Sequence, residues 1–552
     1  MLNFRETLSR SFRGDIKDDA ATLDIYSRDA SLFEVKPSLV VFPKDVADLE
    51  MLVRAASAAR GAGEKISLTG RSAGTDMTGG PLGESVVVSF TKYFNRILSV
   101  GEGIATAQPG VYYRDFEKET LKKGYLLPSY PASRELAALG GMVSNNAGGE
   151  KSLAYGKTDR YVKQLKVVLV DGKEHIFEKI TLEEARQKAA AETGEGDTTI
   201  YRSMLKLLEK NKAMLEGARP RVSKNSAGYA LWDVIDEKAG TFDLTKLFVG
   251  SQGTLGLVTE ITFTLVHPRA HSRMLVIFLK DLSLLGELVG DVLAFKPESF
   301  ESYDDHTFEI AIRYFADIAK RLKGNIFSLG LRFLPEFWSV LFGGVPKLVL
   351  LAEFTADSDE EAEAQALAAL GGIKRFNVSA RVTHSAQEGE KYRVIRRESF
   401  NLLRHHVHGK RTAPFIDDII VSPKDLPAFL PRLYGILDQY DITYTIAGHV
   451  GDGNFHIIPL MDMGKPEVVR IIQELSEKVY NLVLSYHGSI TGEHNDGIIR
   501  TPYLPKMYGD TVYHLFEEVK RIFDPRGIFN PGKKVGGTLA YAFSHINREV
   551  RP

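Results

Sequence analysis

GRSAGTDMTGG, residues 70–80, decides how the first half of this chain folds. Lys65 to Thr69 ahead of it reads as a strand, and SVVVSF from Ser85 behind it reads as another. The glycine loop therefore joins strand to strand. A dinucleotide fingerprint of the Rossmann type needs its glycines between a strand and the start of a helix, so that fold is not expected. Upstream, LVVFP (39–43) reads as a buried strand. It feeds a helix that starts after Asp45 and carries Val46, Leu49, Leu52, Val53 and Ala56 at helical spacing.

Two more glycine-rich loops follow. LGGMVSNNAGGEKSLAYG (139–156) precedes the strand QLKVVLV and its turn pair Asp171-Gly172. VGSQGTLG (249–256) leads into a half-buried strand in which Ile261, Phe263 and Leu265 alternate with Thr262 and Thr264. Such loops expose successive backbone N–H groups and form anion-binding concavities. Any one of them could serve only as a tight turn. Three in one domain point to a large, multiply charged ligand.

Residues 180–245 are rich in Ala, Glu and Lys at helical spacing and read as an insertion. KNSAGY (224–229) within it is too specific for filler, and its role stays open. Beyond His267-Pro268 the glycines thin out, and strand candidates (MLVIFL, LVLLAEF) and an acid-led helix at 358–370 mark a second domain starting near 270. FDPRGIFNPGKKV (523–535) is dense in turn signals and reads as an ordered C-terminal tie. The expected organisation is an N-terminal segment 1–36, a ligand domain 37–269 with the helical insertion, a substrate and metal cap 270–500, and a tail 501–552 that returns to the first domain.

Composition narrows the function. The 552 residues are 44% hydrophobic, ample for several packed cores, and 70 Lys+Arg balance 71 Asp+Glu to a net charge of −1. That balance offers no basic footprint for nucleic acid. The absence of cysteine excludes disulfides, thiolate zinc sites and an iron–sulfur cluster held by this chain, so any metal must sit on nitrogen and oxygen. The first residues lack the apolar run of a signal peptide and carry acids that a transit peptide avoids, so a cytoplasmic location is expected. The most apolar stretch, 337–354, is broken by Gly343, Gly344, Pro346 and Lys347, so no transmembrane segment is expected. Peripheral membrane association and oligomeric state stay open.

The sharpest chemical signal is AGHVGDGNFHI, with Asp452-Gly453 as a two-residue hairpin turn between YTIAGHV and FHIIPL. Counting outward from that turn pairs Gly451 with Asn454, Val450 with Phe455, and His449 with His456. The two imidazoles would be cross-strand neighbours on one face, shared by Asn454, close enough to converge on one metal ion. Glu493 or His494 of SITGEHNDG could add a third ligand, since two histidines and a carboxylate with an open position is a catalytic zinc pattern. A hydrogen-bonded or packed histidine pair is the competing reading among the 14 histidines. RHHVHGK (404–410) reads as an exposed basic loop, and Arg396-Arg397 as either a carboxylate clamp or surface ion pairs.

Taken in order, PSLVVFPKDVADL, GRSAGTDMTGG, PGVYYRDFEKETLKKG, GGMVSNNAGGEKSLAYGKT, VGSQGTLGLVTEI, IRRESF, GHVGDGNFH, ITGEHNDG and FDPRGIFNPGK resemble the FAD-linked oxidases and dehydrogenases that include D-lactate, glycolate and D-2-hydroxyglutarate dehydrogenases, over residues about 37–535. The resemblance implies an α+β fold: a two-subdomain PCMH-type FAD-binding domain and a cap of antiparallel sheet and helices. It places the FAD pyrophosphate on the backbone of Arg71, Ser72, Ala73, Gly74 and Thr75. The remainder would meet Pro131, Ser133, Gly140, Gly141, Ser144, Asn145, Gly148, Gly149, Gly250, Gly253 and Thr254. No histidine stands between Gly70 and Gly80, where covalently flavinylated relatives commonly carry one, so noncovalent FAD is expected.

By the same resemblance His449, His456 and Glu493 bind a divalent metal, with zinc expected. Arg396 holds the substrate carboxylate, Asn454 orients it, His494 is the general base, and Lys410 assists. The implied reaction is oxidation of a D-2-hydroxy acid to the 2-oxo acid, with electrons passed to an external acceptor such as a quinone, a carrier protein or oxygen. The chain departs from relatives that read GEHG by placing Asn495 and Asp496 beside the base, and from those with Leu-Trp where it has Tyr392-Arg393. A rival in the same flavin superfamily is an alkyl transferase resembling alkylglycerone-phosphate synthase, which uses FAD without net redox.

Overall fold

The computed structural model describes residues 2–191, 197–307, 309, 345–406 and 409–549; side-chain placements of residues 2, 3, 197 and 398–406 lie outside that description. The fold is α+β. The first sheet is parallel at its centre, where Leu39–Phe42, Val86–Ser89 and Leu68–Arg71 lie side by side, and helix Val46–Gly61 buries Leu49, Leu52, Val53 and Ala56 against it. The 70–80 loop does join strand to strand, as its flanks predict. The N-terminal segment joins this sheet, because Asp15–Lys17 pairs antiparallel with Leu39–Phe42.

The second sheet is five-stranded and antiparallel, in the order Ile97–Val100, Ile104–Ala107, Leu257–Thr264, Val162–Val168, Glu174–Glu178. Leu257–Thr264 alternates buried and half-buried residues along its whole length, the signature of a strand with one face on a core. The insertion forms helices Leu182–Ala190, Asp197–Lys210 and Lys212–Ala218. A small sheet of Ile180–Thr181, Thr241–Phe242 and Ile235–Asp236 sits beside them.

The third sheet builds the cap. His271–Leu279, Leu348–Ala356, Ser299–Asp304, Thr443–His449 and Asn454–Met461 are consecutive antiparallel neighbours, and Ile419–Ile420 pairs with the last. Helices Leu285–Leu293, Asp359–Gly372, Leu426–Leu437 and Val468–Ser485 contribute to the core on this sheet. Val468, Ile472, Leu475, Val479 and Val483 recur every three or four residues, which puts them on one buried stripe of the last helix. No helix among the described residues is long and apolar enough to cross a membrane. The C-terminal residues return to the first domain: Phe529 bridges Leu68, Asn530 donates to the carbonyls of Gly80 and Gln252, and Ile546 bridges Phe33 of the N-terminal segment.

Candidate active site

One cavity of about 920 Å³ runs from the glycine loops to the cap sheet. Arg71, Ser72, Ala73, Gly74, Thr75, Pro131, Ser133, Gly140, Gly141, Ser144, Asn145, Gly148 and Gly253 line it, together with His449, His456, Glu493, His494, Arg396 and Arg397 at the cap end. The sequence-predicted flavin residues and the sequence-predicted chemistry thus share one space. The Arg71 guanidinium donates to the carbonyls of Tyr26 (3.2 Å) and Arg28 (2.7 Å).

Three expected cofactor residues do not line it. A Cβ on Gly149 would meet the carbonyl oxygen of Tyr130 at 2.3 Å, so this glycine serves close backbone packing. Gly250 donates to Val143 and accepts from Asn495, and the Thr254 hydroxyl is buried between Tyr229 and the Ser251 carbonyl. Lys410 is not brought to the cavity either; its ammonium donates to Thr443 Oγ1 (3.2 Å).

The histidine hairpin differs from its expected register by two residues. His449 pairs with Asn454, and His456 with Ala447. Residues 450–453 form a four-residue loop, closed by Asp452 N–H to His449 O (2.9 Å) and Gly453 N–H to Val450 O (3.0 Å). Gly453 adopts φ +72°, and a Cβ there would strike Val421 O at 1.9 Å, so only glycine fits. A slip of two keeps side chains on the same face. The imidazoles still converge, diagonally, with ring centroids 5.2 Å apart. Asn454 shares that face but is fully buried and spends its amide on Asp418 Oδ1 (3.0 Å) and Ile419 O (3.1 Å), so it does not line the cavity.

Carboxylates fix every ring. His449 Nδ1 lies 2.6 Å from Glu301 Oε1, His456 Nδ1 3.1 Å from Asp417 Oδ1, and His494 Nδ1 2.7 Å from Asp417 Oδ2. With Nδ1–H donating, a neutral ring would offer its Nε2 lone pair as a ligand. The three Nε2 atoms point toward Glu493 Oε1, at 3.2 Å from His449, 3.5 Å from His456 and 4.0 Å from His494. One ligand atom from each of His449, His456 and Glu493 lies within 4.8 Å of the others, a grouping that could hold a metal ion. A tetrahedral ion with bonds of about 2.0–2.1 Å would set its donors roughly 3.4 Å apart, so His449, His456 and Glu493 fit a divalent metal. Burial disfavours the charged form of His456, yet Asp417 and Glu493 hold its pKa up at about 10, so without a metal the ring is protonated and both nitrogens donate to carboxylates. His494 is raised for a similar reason, with Asp417 and Asp418 outweighing burial.

Several organising residues escaped the sequence reading. Glu301 comes from Ser299–Asp304, whose pairing of Ser302 with Gly448 continues to bring Glu301 opposite His449. Asp418, in a left-handed conformation, accepts from the N–H groups of Glu493 (2.9 Å) and His494 (2.7 Å) and from Thr491 Oγ1 (2.6 Å), which shapes the 491–494 segment. Buried Arg500 donates to the carbonyls of Asp417 and Asn495. A usable signal was present: two adjacent acids inside the apolar run FIDDII have no reason to be buried unless they organise something. KNSAGY acquires a place too, with Lys224 Nζ 2.8 Å from Glu493 Oε2 and 3.4 Å from Asp452 Oδ2. Arg396 reaches Glu301 Oε2 (2.5 Å), while Arg397 is exposed and 3.9 Å from Glu390, and both line the cavity. The side chains of RHHVH (404–408) lie outside the described residues.

Comparison with known proteins fits this arrangement. Residues 37–178 match the family described as FAD binding domain, and residues 270–534 the family described as FAD linked oxidases, C-terminal domain. A D-2-hydroxyglutarate dehydrogenase of Pseudomonas putida is 27% identical over 96% of this chain and 51% of its own length. The Escherichia coli protein of the same name is 26% identical over 97% and 52%. This chain therefore spans about half the length of those curated relatives. Glycolate oxidase subunit GlcD of Bacillus subtilis is 27% identical over 92% of this chain and 91% of its own. Among solved structures, an alkyldihydroxyacetonephosphate synthase superposes with TM-score 0.65 at 15% identity, covering 96% of this chain and 86% of that one. A 4-ethylphenol oxidase from Gulosibacter chungangensis superposes with TM-score 0.66 at 15% identity, covering 97% of each. At that identity the likeness is one of fold.

Proposed function

From the premise that this chain belongs to the FAD-linked oxidase family, with its FAD-binding and C-terminal domains both present, we propose that it is a dehydrogenase that oxidises a D-2-hydroxy acid to the 2-oxo acid. The observation that carries the reading is the convergence of three imidazole Nε2 atoms on Glu493 Oε1 in the cavity that the glycine loops also line.

The residues divide the work as follows. The backbone of Arg71, Ser72, Ala73, Gly74 and Thr75 and the loops at 131–148 and 251–253 hold noncovalent FAD. His449, His456 and Glu493 hold a divalent ion, for which nitrogen and oxygen donors favour zinc, manganese, iron or cobalt. Arg396 binds the substrate carboxylate, oriented by Glu301. His494, its Nδ1–H held by Asp417, accepts the hydroxyl proton at Nε2. When bound, FAD supplies the redox capacity and the metal supplies charge stabilisation at the substrate oxygen. Electrons leave to an external acceptor, since no cysteine is available to hold a cluster here.

The 2-hydroxy acids implied by the curated relatives set the substrate class. A non-redox transferase on the same fold differs in one readout: it would not transfer hydride from a hydroxy acid to the flavin. Anaerobic bleaching of the flavin by D-lactate, glycolate or D-2-hydroxyglutarate separates the two readings.

A further inference from the structure

The two oxygens of Glu493 face different partners. Oε1 faces the imidazoles, whereas Oε2 accepts from Lys224 Nζ at 2.8 Å. Lys224 is buried and its only other described carboxylate partner is Asp452, at 3.4 Å across the histidine hairpin loop. It does not reach this point by chance of a flexible stem. Its motif is tied to the ligand segment and the hairpin alike: Ser226 N–H donates to Thr491 O (3.1 Å), Ser226 Oγ to Gly492 O (3.1 Å), and Ser223 Oγ to Asp452 O (3.1 Å). Gly148 of the second glycine loop leaves the space for Oε2, since a Cβ there would lie 3.0 Å from it.

A carboxylate free on both sides can bind an ion through both oxygens and give it its full negative charge. Here one oxygen is engaged, and a fixed cation stands behind the ligand in a buried setting where charges are weakly screened. We propose that Lys224 is a positioning residue that sets the affinity of the metal centre, holding Glu493 to a single ligating oxygen and opposing the ion's charge. This rests on the metal reading given above. The arrangement gives up affinity and leaves the ion more electron-poor, hence a stronger Lewis acid. Asp452 moderates it by sharing the lysine's charge.

The consequence runs against the ordinary effect of damaging a site. Lys224→Met should hold Zn²⁺ more tightly, by about 10-fold or more for loss of one unit charge a few ångströms away in the interior. Lys224→Arg should stay near wild type, and Asp452→Asn should bind more weakly because the lysine's charge is then less compensated. The measurement is competition of the purified, FAD-loaded full chain with a zinc-binding dye, with flavin absorbance and thermal midpoint recorded for each variant. Unchanged or weaker Zn²⁺ binding by Lys224→Met overturns the assignment. If that variant does not fold, Asp452→Asn decides: weaker binding upholds the assignment, and unchanged or tighter binding overturns it. Wild-type protein that binds no divalent ion removes the metal reading itself, and this inference with it.

Discussion

His494 Nδ1 lies 2.7 Å from Asp417 Oδ2, and the other oxygen of the same carboxylate lies 3.1 Å from His456 Nδ1. One buried acid thus orients the proposed base and a proposed metal ligand together. The rings stack with centroids 4.9 Å apart, so moving either disturbs the other.

Replacement of His494 by alanine should leave FAD bound and slow anaerobic flavin reduction by about 100-fold or more, the scale of a lost general base. Stopped-flow absorbance of the flavin band checks it. Reduction at the wild-type rate would take the proton-accepting role away from His494.

Asp417 also fixes the sign of the pH dependence. The base works as the neutral imidazole, so reduction is lost as pH falls through its pKa. Burial lowers that pKa, but Asp417 and Asp418 raise it above the ordinary 6.5. Asp417→Asn should therefore move the acid limb of the rate profile to lower pH while reducing the maximum rate. A limb that does not move contradicts the coupling.

Arg396 is expected to act on substrate affinity. Hydrogen bonds to charged groups contribute about 1.5–3 kcal/mol, so Arg396→Met should raise KM roughly 10- to 150-fold, with full FAD retention. Arg397, exposed and poorly paired, should tolerate the same change with little effect on KM.

Asn495 connects the ligand segment to the flavin loops. Its amide donates to Asn145 O (3.1 Å) and Gly250 O (2.9 Å), and the residue is fully buried. Asn495→Ala leaves the half-buried Asn145 carbonyl and the buried Gly250 carbonyl without this donor, a loss of about 1–3 kcal/mol. Thermal unfolding and flavin-release rates should both report it. Release at the wild-type rate would argue that the link is structural only.

Much of this was legible from residues that act locally. The three glycine loops, the alternation of Ile261, Phe263 and Leu265 with Thr262 and Thr264, and the common face of His449 and His456 follow from short-range spacing, and the structure carries all three. The hairpin register was not legible, because Asp452-Gly453 fits a two-residue turn equally well. What selects the longer loop is non-local: Gly451 donates to Phe300 O, and Val421 donates to Gly453 O. Glu301 was out of reach for the same reason, and for Asp417 and Lys224 the sequence marked the motifs FIDDII and KNSAGY but not their partners. Each lies tens to hundreds of residues from the histidine or glutamate it holds, and spacing along the chain carries no record of such contacts. Gly149, Gly250 and Thr254, in the same loops, pack against neighbouring backbone and side chains and do not line the cavity.

The most direct test of the central claim is the visible spectrum of the purified, FAD-loaded, zinc-loaded protein under anaerobic conditions, before and after D-lactate, glycolate and D-2-hydroxyglutarate are added in turn. The account predicts that at least one of them bleaches the flavin band. It also predicts that prior removal of the metal by a chelator slows that bleaching by about 100-fold or more while the oxidised band stays intact. A flavin band that none of these acids bleaches, in protein that retains both FAD and metal, would contradict the dehydrogenase reading and favour non-redox chemistry on the same fold.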